Sequence, residues 1–514
     1  MNKTSLLLIL SLIVSMSTLS ATFDVTFGGS EIDQGRDVQQ TADGGYIFVG
    51  SSVSYGPGYW DVWIVKTDEN GELEWENSFG GANRESGKSV LLTEDGGYLI
   101  GASTESYGAG GYDVWLIKLN SEGTLEWQQT YGGTGRDVLQ AAQKTNDGGY
   151  VFIAESDSFG AGGDDFWFVK VDAFGTELWN HTFGGTDTDS PYAVQQTTDS
   201  GYILSGLTES FGAGYRDMWL IKTDSAGIEE WNTTYGGAEA DIAFDAIQTS
   251  DGGYLLAGET DSYGSGDYDV WLVKTDESGV EEWQSIFGGV ESDKAFGVTE
   301  VSTGGYTLIG FTWSFGAGQS DVWLINTDEN GEEVWQTTLG GSSSDSGRRV
   351  RETPDGGYIL AASTYSYGVG NMDYWLIKTN STGGMTEEPQ IPIEVDTPQF
   401  VVELEEGETV SDQFTLFNTS DEAVEYSVDV DYEDGSDWLN IATTSNILDG
   451  GESDIIELLF DTTNLTIGTY NCEIDITVPG FELTIPVSLT VNEVTSIDNQ
   501  VALQPQLLGN YPNP

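Results

Sequence analysis

Two sets of carboxylates recur along this chain at a constant step. Asp33, Glu85, Asp137, Asp189, Asp241, Asp293 and Asp345 each follow a Gly-Gly pair. Asp61, Asp113, Asp165, Asp217, Asp269, Asp321 and Asp373 each open a D-x-W motif. Carboxylates repeated in this way can hold Ca²⁺, a hard cation that takes about six to eight oxygen ligands. Asp33, Asp137, Asp189, Asp241, Asp293 and Asp345 are the metal candidates, and Ca²⁺ is the one cofactor they suggest. The alternative is that each Asp caps its own turn through backbone N–H groups.

Other chemistry is excluded by what the chain lacks. His181 is the only histidine and Cys472 the only cysteine. Ser-His-Asp and Cys-His sites and a His-rich zinc site are therefore ruled out. A glycosidase needs only two carboxyl groups in different environments. Acids are plentiful, but none departs from the repeat in a way that marks a catalytic pair.

Binding residues are better sought where the repeats disagree. The residue before D-x-W is Trp60, Tyr112, Asp164, Arg216, Tyr268, Ser320 or Met372, and Trp313 replaces an acid common at its position. Trp60, Tyr112, Arg216, Tyr268 and Trp313 are the ligand-binding candidates. Aromatic and Arg side chains on a loop face stack on sugar rings or anchor a protein partner. Packing against a neighbouring unit is the plain alternative. Lys66, Lys118, Lys170, Lys222, Lys274 and Lys378 share one repeat position, with Asn326 in the sixth copy. In so acidic a chain they are expected to be buried against one of the two acidic series.

The elements that carry these residues follow from a 52-residue period. Tyr46, Tyr98, Tyr150, Tyr202, Tyr254, Tyr306 and Tyr358 mark it. So do Trp63, Trp115, Trp167, Trp219, Trp271, Trp323 and Trp375, and a second series from Trp75 to Trp335. Tryptophans on such a clock are framework. One unit reads as four strands: Gly35–Thr41, Tyr46–Ser52, Asp61–Thr67 and Glu72–Phe79. Asp43-Gly44-Gly45 and Asn70-Gly71 mark tight hairpin turns. Four antiparallel strands per unit, seven times, predict an all-β, seven-bladed β-propeller over 22–385. The seventh unit lacks its fourth strand. Counting 52 back from Trp75 lands on Phe23, so Phe23–Phe27 is expected to complete the last blade and close the ring.

The flanks read differently. Residues 1–21 have the pattern of a secretory signal peptide, and no stretch reaches the ~20 apolar residues of a membrane span. Residues 386–396 form a linker, and the alternating patterns of 397–492 predict a β-sandwich. Cys472, on a face with Tyr470, Ile474 and Ile476, is expected to be a buried structural thiol. A second linker, 493–506, precedes 507–514. The formal charge is −68, from 85 acidic and 17 basic residues. That excludes nucleic acid as a partner and fits an exported, cation-rich or saline setting, or solubility alone.

Three resemblances add to this. SDWLNIATTS (Ser436–Ser445), GGES (Gly450–Ser453) and IGTYNCEIDITV (Ile467–Val478) resemble a BACON-type or related immunoglobulin-like module, which implies a bacterial extracytoplasmic spacer often found beside glycan-related domains. LLGNYPNP (Leu507–Pro514) resembles the start of a type IX sorting domain, which implies the type IX secretion machinery as a partner and release from, or display on, the outer-membrane surface of a bacterium. Asp68, Gly71 and Trp75 resemble the tryptophan-docking turn of quinoprotein propellers, with one residue fewer, and imply a shared way of locking blades rather than a quinone. The resulting expectation is a secreted or cell-surface binding module that recognises a polysaccharide, another surface polymer or a surface protein. A glycan-active extracellular enzyme and a salt-adapted structural protein are the alternatives.

Overall fold

The structure is a computed structural model and describes residues 22–385, 393–397, 399–418, 423–432, 438–478 and 481–493. The signal peptide, the sorting-domain resemblance, Ser436 and Asp437, and most of both linkers lie outside these residues. Every described element is a β-strand. The described residues divide into two compact units, 22–385 and 393–493.

The first unit repeats one open, four-stranded antiparallel sheet, as a propeller does with its blades. After β1 (Phe23–Phe27), the first such sheet is β2 (Asp33–Gln40), β3 (Tyr46–Ser52), β4 (Asp61–Thr67) and β5 (Leu73–Phe79), in that order. The quartet recurs from Glu85, Asp137, Asp189, Asp241 and Asp293. A further sheet joins Asp345–Glu352, Tyr358–Thr364 and Asp373–Thr379 to β1. There β1 runs antiparallel to Asp373–Thr379, with Phe23 opposite Lys378 and Phe27 opposite Tyr374.

The second and third strands are buried along nearly their whole length, which is why DVWIVKT is apolar on both faces. A strand covered on both sides needs a sheet against each face. Val49, Val62 and Ile64 accordingly pack with Ile100, Trp115 and Ile117 of the next sheet. Phe48, Trp63 and Val65 pack with Ala361, Tyr374 and Leu376 of the last. The first strands touch their neighbours in the same succession, and Asp345–Glu352 touches β2.

A glycine–aromatic contact ties each sheet to the next. Gly71, in the turn between β4 and β5, has φ 81°, a conformation that glycine adopts at little cost. A Cβ there would lie 2.6 Å from the Phe23 ring. The same turn glycines, Gly123, Gly175, Gly227, Gly279, Gly331 and Gly383, lie under Trp75, Trp127, Trp179, Trp231, Trp283 and Trp335. Each aromatic thus comes from the fourth strand of one sheet and covers the turn of its neighbour. The docking turn legible in the sequence is an inter-sheet lock.

The buried lysines correct one expectation. They pair with neither repeating acidic series. Lys66 Nζ lies 3.1 Å from Asp43 and 2.8 Å from Glu74, and Lys118, Lys222 and Lys274 repeat that pair of partners. The reason is geometric: Asp61 and Lys66 stand at opposite ends of β4, about 16 Å apart at the usual strand rise. In the sixth sheet all three members are replaced together, by Thr303, Asn326 and Val334. Asn326 instead donates to the Tyr306 carbonyl and to Thr307 Oγ1. An unpaired carboxylate or ammonium is avoided there by losing the whole set.

The second unit holds two sheets. One orders Ile393–Val395, Thr409–Asn418, Ser453–Asp461 and Leu439–Ile441. The other orders Phe400–Glu405, Phe481–Asn492, Gly468–Val478, Val424–Tyr432 and Ser445–Leu448. Phe414, Trp438, Phe460, Ile474 and Leu489 form its core, and Cys472 is 2% exposed within it. Among the described residues, no helix is long and apolar enough to cross a membrane.

Removing Thr22–Phe27 leaves Asp373–Thr379 with an open edge and Gly71 without its aromatic cover. The melting temperature of the first unit is expected to fall by ten degrees or more, whereas removing 397–514 leaves that transition nearly unchanged. Differential scanning calorimetry of the two deletions checks this; equal losses would place the seam elsewhere.

Candidate functional site

Each first strand carries one residue more than its partner opposes. The register of β2 against β3 shifts between Gly35 and Asp37, which leaves Arg36 as the extra residue. The same bulge falls on Lys88, Gln140, Tyr192, Phe244, Phe296 and Arg348. A bulge re-aims a side chain out of the regular alternation. Several of these side chains meet across sheets. Lys88 Nζ is 3.3 Å from Gln140 Oε1. The rings of Tyr192 and Phe244 lie 5.0 Å apart, and those of Phe244 and Phe296 4.9 Å. The Arg348 guanidinium sits 4.0 Å over the Phe296 ring.

The bulge series is cationic on one side and aromatic on the other. Burial, then the nearby Arg36 and Arg348 charges, pulls Lys88 down to about 7. Burial, with Arg36, lowers Arg348 to about 9, and burial lowers Arg36. Beside the series lies a cavity of about 440 Å³ lined by all seven first strands. Its charged wall is a network: Arg349 reaches Asp245 at 2.7 Å, Arg351 reaches Asp37 at 3.1 Å, and Asp37 accepts the Val90 N–H at 3.0 Å. Reading Gly35–Thr41 only as a strand misses this series. Comparing Arg36 with its counterparts at the 52-residue step is the signal that finds it.

The loop end holds the residues singled out by sequence. The carbonyls of Trp60, Tyr112, Asp164, Arg216, Tyr268, Ser320 and Met372 each accept the N–H of the first acid of a neighbouring sheet, from Glu85 round to Asp33. The main chain does the joining, so the side chains are free to vary. Trp60, Tyr112, Arg216 and Tyr268 are half-buried, while Ser320 and Met372 are buried. Arg216 lies 2.7 Å from Glu209 and its guanidinium covers Tyr215. Lys294 sits 4.5 Å from the Tyr268 ring centre, and Arg84 covers Tyr59. Trp313 is 47% exposed. These candidates are spread around the loop end, one to a sheet, rather than gathered in one pocket.

The two acidic series meet at every junction. Asp33 is buried and donor-rich: it accepts from Gly29 N, Ser52 Oγ and Ser54 Oγ. Asp137, Asp189, Asp241, Asp293 and Asp345 repeat the Gly N–H bond, each with a hydroxyl partner from the end of the second strand or the loop that follows it. Against each lies the D-x-W acid of the preceding sheet. A Cβ at Gly28 would sit 1.7 Å from Asp373 Oδ1 and 3.0 Å from Asp33 Oδ2, so the first Gly of the pair is required by close approach. Oδ1 of Asp61, Asp165, Asp269, Asp321 and Asp373 is buried with no hydrogen-bond partner. Among the described residues, no three His, Cys, Asp or Glu residues converge in a way that could hold a metal.

One acid pair lies outside the two repeating acidic series. Glu155 stands where other sheets have Ser51, Ser103, Leu207, Glu259, Phe311 and Ser363, and Asp164 is the third sheet's variable residue. Neither series points to the other, so only the fold shows them meeting. Arg136 Nη1 is 3.0 Å from Glu155 Oε1 and 3.8 Å from Asp164 Oδ1. Burial, with a hydrogen bond that the protonated Asp164 donates to Glu155, raises Asp164 to about 6.

No protein-family model and no curated protein matches the chain. Among solved structures it is similar to a mutant puromycin hydrolase complexed with PGG, with 12% identity and a TM-score of 0.39 over 72% of this chain and 54% of that one. It spans about half the length of that protein. The ASH/PapD-like domain of human CEP192 is matched over 21% of this chain and 92% of the domain, with 16% identity and a TM-score of 0.19. The periplasmic chaperone SfaE is matched over 21% and 59%, with 11% identity and a TM-score of 0.17.

The junction acids set a pH response. Burial, then the Asp33 charge, raises Asp373 to about 6. Unfolded, it titrates near ~3.9. Its contribution is therefore present below ~4 and lost as pH rises through about 6. Asp95, Asp147, Asp199 and Asp251 are lowered to about 2, with the neighbouring lysine and Thr hydroxyls among the causes. Theirs is present above ~4 and lost as pH falls toward 2. At constant ionic strength the melting temperature is expected to peak near pH ~4 and to decline from there to about pH 6. Asp373→Asn should flatten that decline. A wild-type profile that rises from pH 5 to 8 would contradict this assignment.

Proposed function

We propose that this chain is an exported binding module. In this reading the seven sheets form one closed seven-bladed β-propeller over 22–385, followed by a BACON-type or immunoglobulin-like sandwich over 397–492. Type IX secretion delivers it to, or past, the bacterial outer membrane. Its loop end recognises a polysaccharide or another surface polymer. Support for the closed ring comes from the pairing of β1 with Asp373–Thr379 and from Phe23 over Gly71. The observation that carries the binding reading is the division of labour before D-x-W: a constant main-chain bond beneath a side chain that varies among Trp, Tyr, Asp, Arg, Ser and Met. Trp60, Tyr112, Tyr268 and the exposed Trp313 supply flat aromatic surface there, of the kind that packs on sugar rings. On a glycan array, with and without Ca²⁺, the full chain is expected to retain a defined set of glycans, and Trp60→Ala with Trp313→Ala to lower retention at least tenfold. An array with no signal, or an unaffected double variant, would overturn the loop-end reading.

The pair Glu155 and Asp164 favours a second reading, a glycan-active enzyme. One carboxyl raised to about 6 beside another is the arrangement general acid catalysis on glycosides uses. If this reading holds, reducing-sugar release from the retained glycan is expected to fall at least a hundredfold in Glu155→Gln. Retention without release in the wild type would leave the module as a binder alone.

A further inference from the structure

We infer that the bulge series is a binding site for a carboxylate carried on a ring-shaped body, with Arg36, Lys88 and Arg348 taking the carboxylate and Tyr192, Phe244 and Phe296 taking the ring. This inference rests on the inner strands and is independent of the loop-end reading.

The first ground is missing counter-charge. Arg36, Lys88 and Arg348 come from the first, second and seventh sheets, and their charges oppose one another. Among the described residues, none of them has a carboxylate within 4.0 Å, whereas all six lysines of the repeating series do. Acids are not scarce in a chain with 85 of them. Arg36 donates through Nη2 to Gln34 Oε1 at 2.6 Å, but its Nε is buried with no acceptor. Lys88 has only Gln140 at 3.3 Å. Arg36, Lys88 and Arg348 are partly buried, and partly desolvated cations left together without an anion are costly. An anion from outside relieves that cost, and a carboxylate matches the planar fork of a guanidinium.

The second ground is the opposite arc. Tyr192, Phe244 and Phe296 meet edge to face, and Arg348 lies over the Phe296 ring. A ring-bearing ligand gains contact with this wall that a bare anion does not. The acids nearest that arc are already engaged: Glu155 by Arg136 and Glu259 by Lys294. The third ground is asymmetry. Positions that build the frame recur in all seven sheets, but the bulge position reads Arg, Lys, Gln, Tyr, Phe, Phe, Arg. The adjoining cavity of about 440 Å³ begins at Asp37 and Arg349, the residues that follow Arg36 and Arg348. Its volume is within the ~300–1,000 Å³ of ligand pockets.

Isothermal titration of the full chain with benzoate, glucuronate, glucose and sulfate tests this. Benzoate and glucuronate separate an aromatic from a sugar body; either one binding supports the site. Arg36→Gln and Arg348→Gln are each expected to weaken that binding at least tenfold, and Phe244→Leu to weaken it while leaving sulfate unchanged. Trp60→Ala and Trp313→Ala should have no effect. Arg136 and Glu155 are the other charged groups around Lys88, and binding the anion favours its protonated form. Affinity should therefore fall between pH 6 and 8.5, less so in Lys88→Met. Lys88→Met also tests the site without ligand, because removing an unpaired cation should hold or raise the melting temperature in low-salt buffer. No binding by either carboxylate, sulfate binding as tightly as both, or a Lys88→Met protein that melts markedly lower would overturn the proposal.

Discussion

A glycine turn covered by an aromatic ring from the neighbouring sheet is the contact on which the first unit depends. Each four-stranded sheet buries both faces of its middle strands, so no sheet is stable alone. The lock fixes how the next one sits. Gly71 under Phe23, and Gly123 to Gly383 under Trp75 to Trp335, repeat it at every junction. Glycine is needed twice over, for the positive φ and because a Cβ would enter the ring. Phe23 fills the one place where the aromatic belongs to the start of the chain and the turn belongs to the first complete sheet.

Polar groups are fitted into this frame by two different solutions. At one end of the third strand a buried lysine is held by the turn acid and, in most sheets, a fourth-strand acid. When the sixth sheet loses the lysine it loses both acids, so no charge is left alone. At the other end two acids face each other. Asp33 and its counterparts collect several donors, while Asp373 and its counterparts keep an oxygen without one. The proton settles on the poorer site, as the direction of the Asp373 shift shows. The strongly acidic composition thus enters the core as well as the surface.

Much of the fold was legible in the sequence because the 52-residue step is unbroken. Tyr46–Ser52 and Asp61–Thr67 coincide with the observed strands, and Phe23–Phe27 was placed by counting alone. The first strand was not fully legible. Its bulge adds a residue without changing the step, so Arg36 looked like one more polar residue in a weak strand. The lysine partners were misassigned because a linear series does not say which end of a strand a side chain occupies. Glu155 and Asp164 belong to different series, and only their meeting at Arg136 makes them a pair. Repetition makes the frame legible and hides the positions that break it, which are the ones available for function.

β1 is an integral strand of the last sheet. Hydrogen exchange read by mass spectrometry on the intact chain tests this most directly, since strands that open together exchange together. Amides of Phe23–Phe27 should match the protection of Asp373–Thr379 and lose it in the same step as denaturant rises. Exchange of Phe23–Phe27 on the timescale of a loop, with Asp373–Thr379 still protected, would contradict the pairing of β1 with that strand.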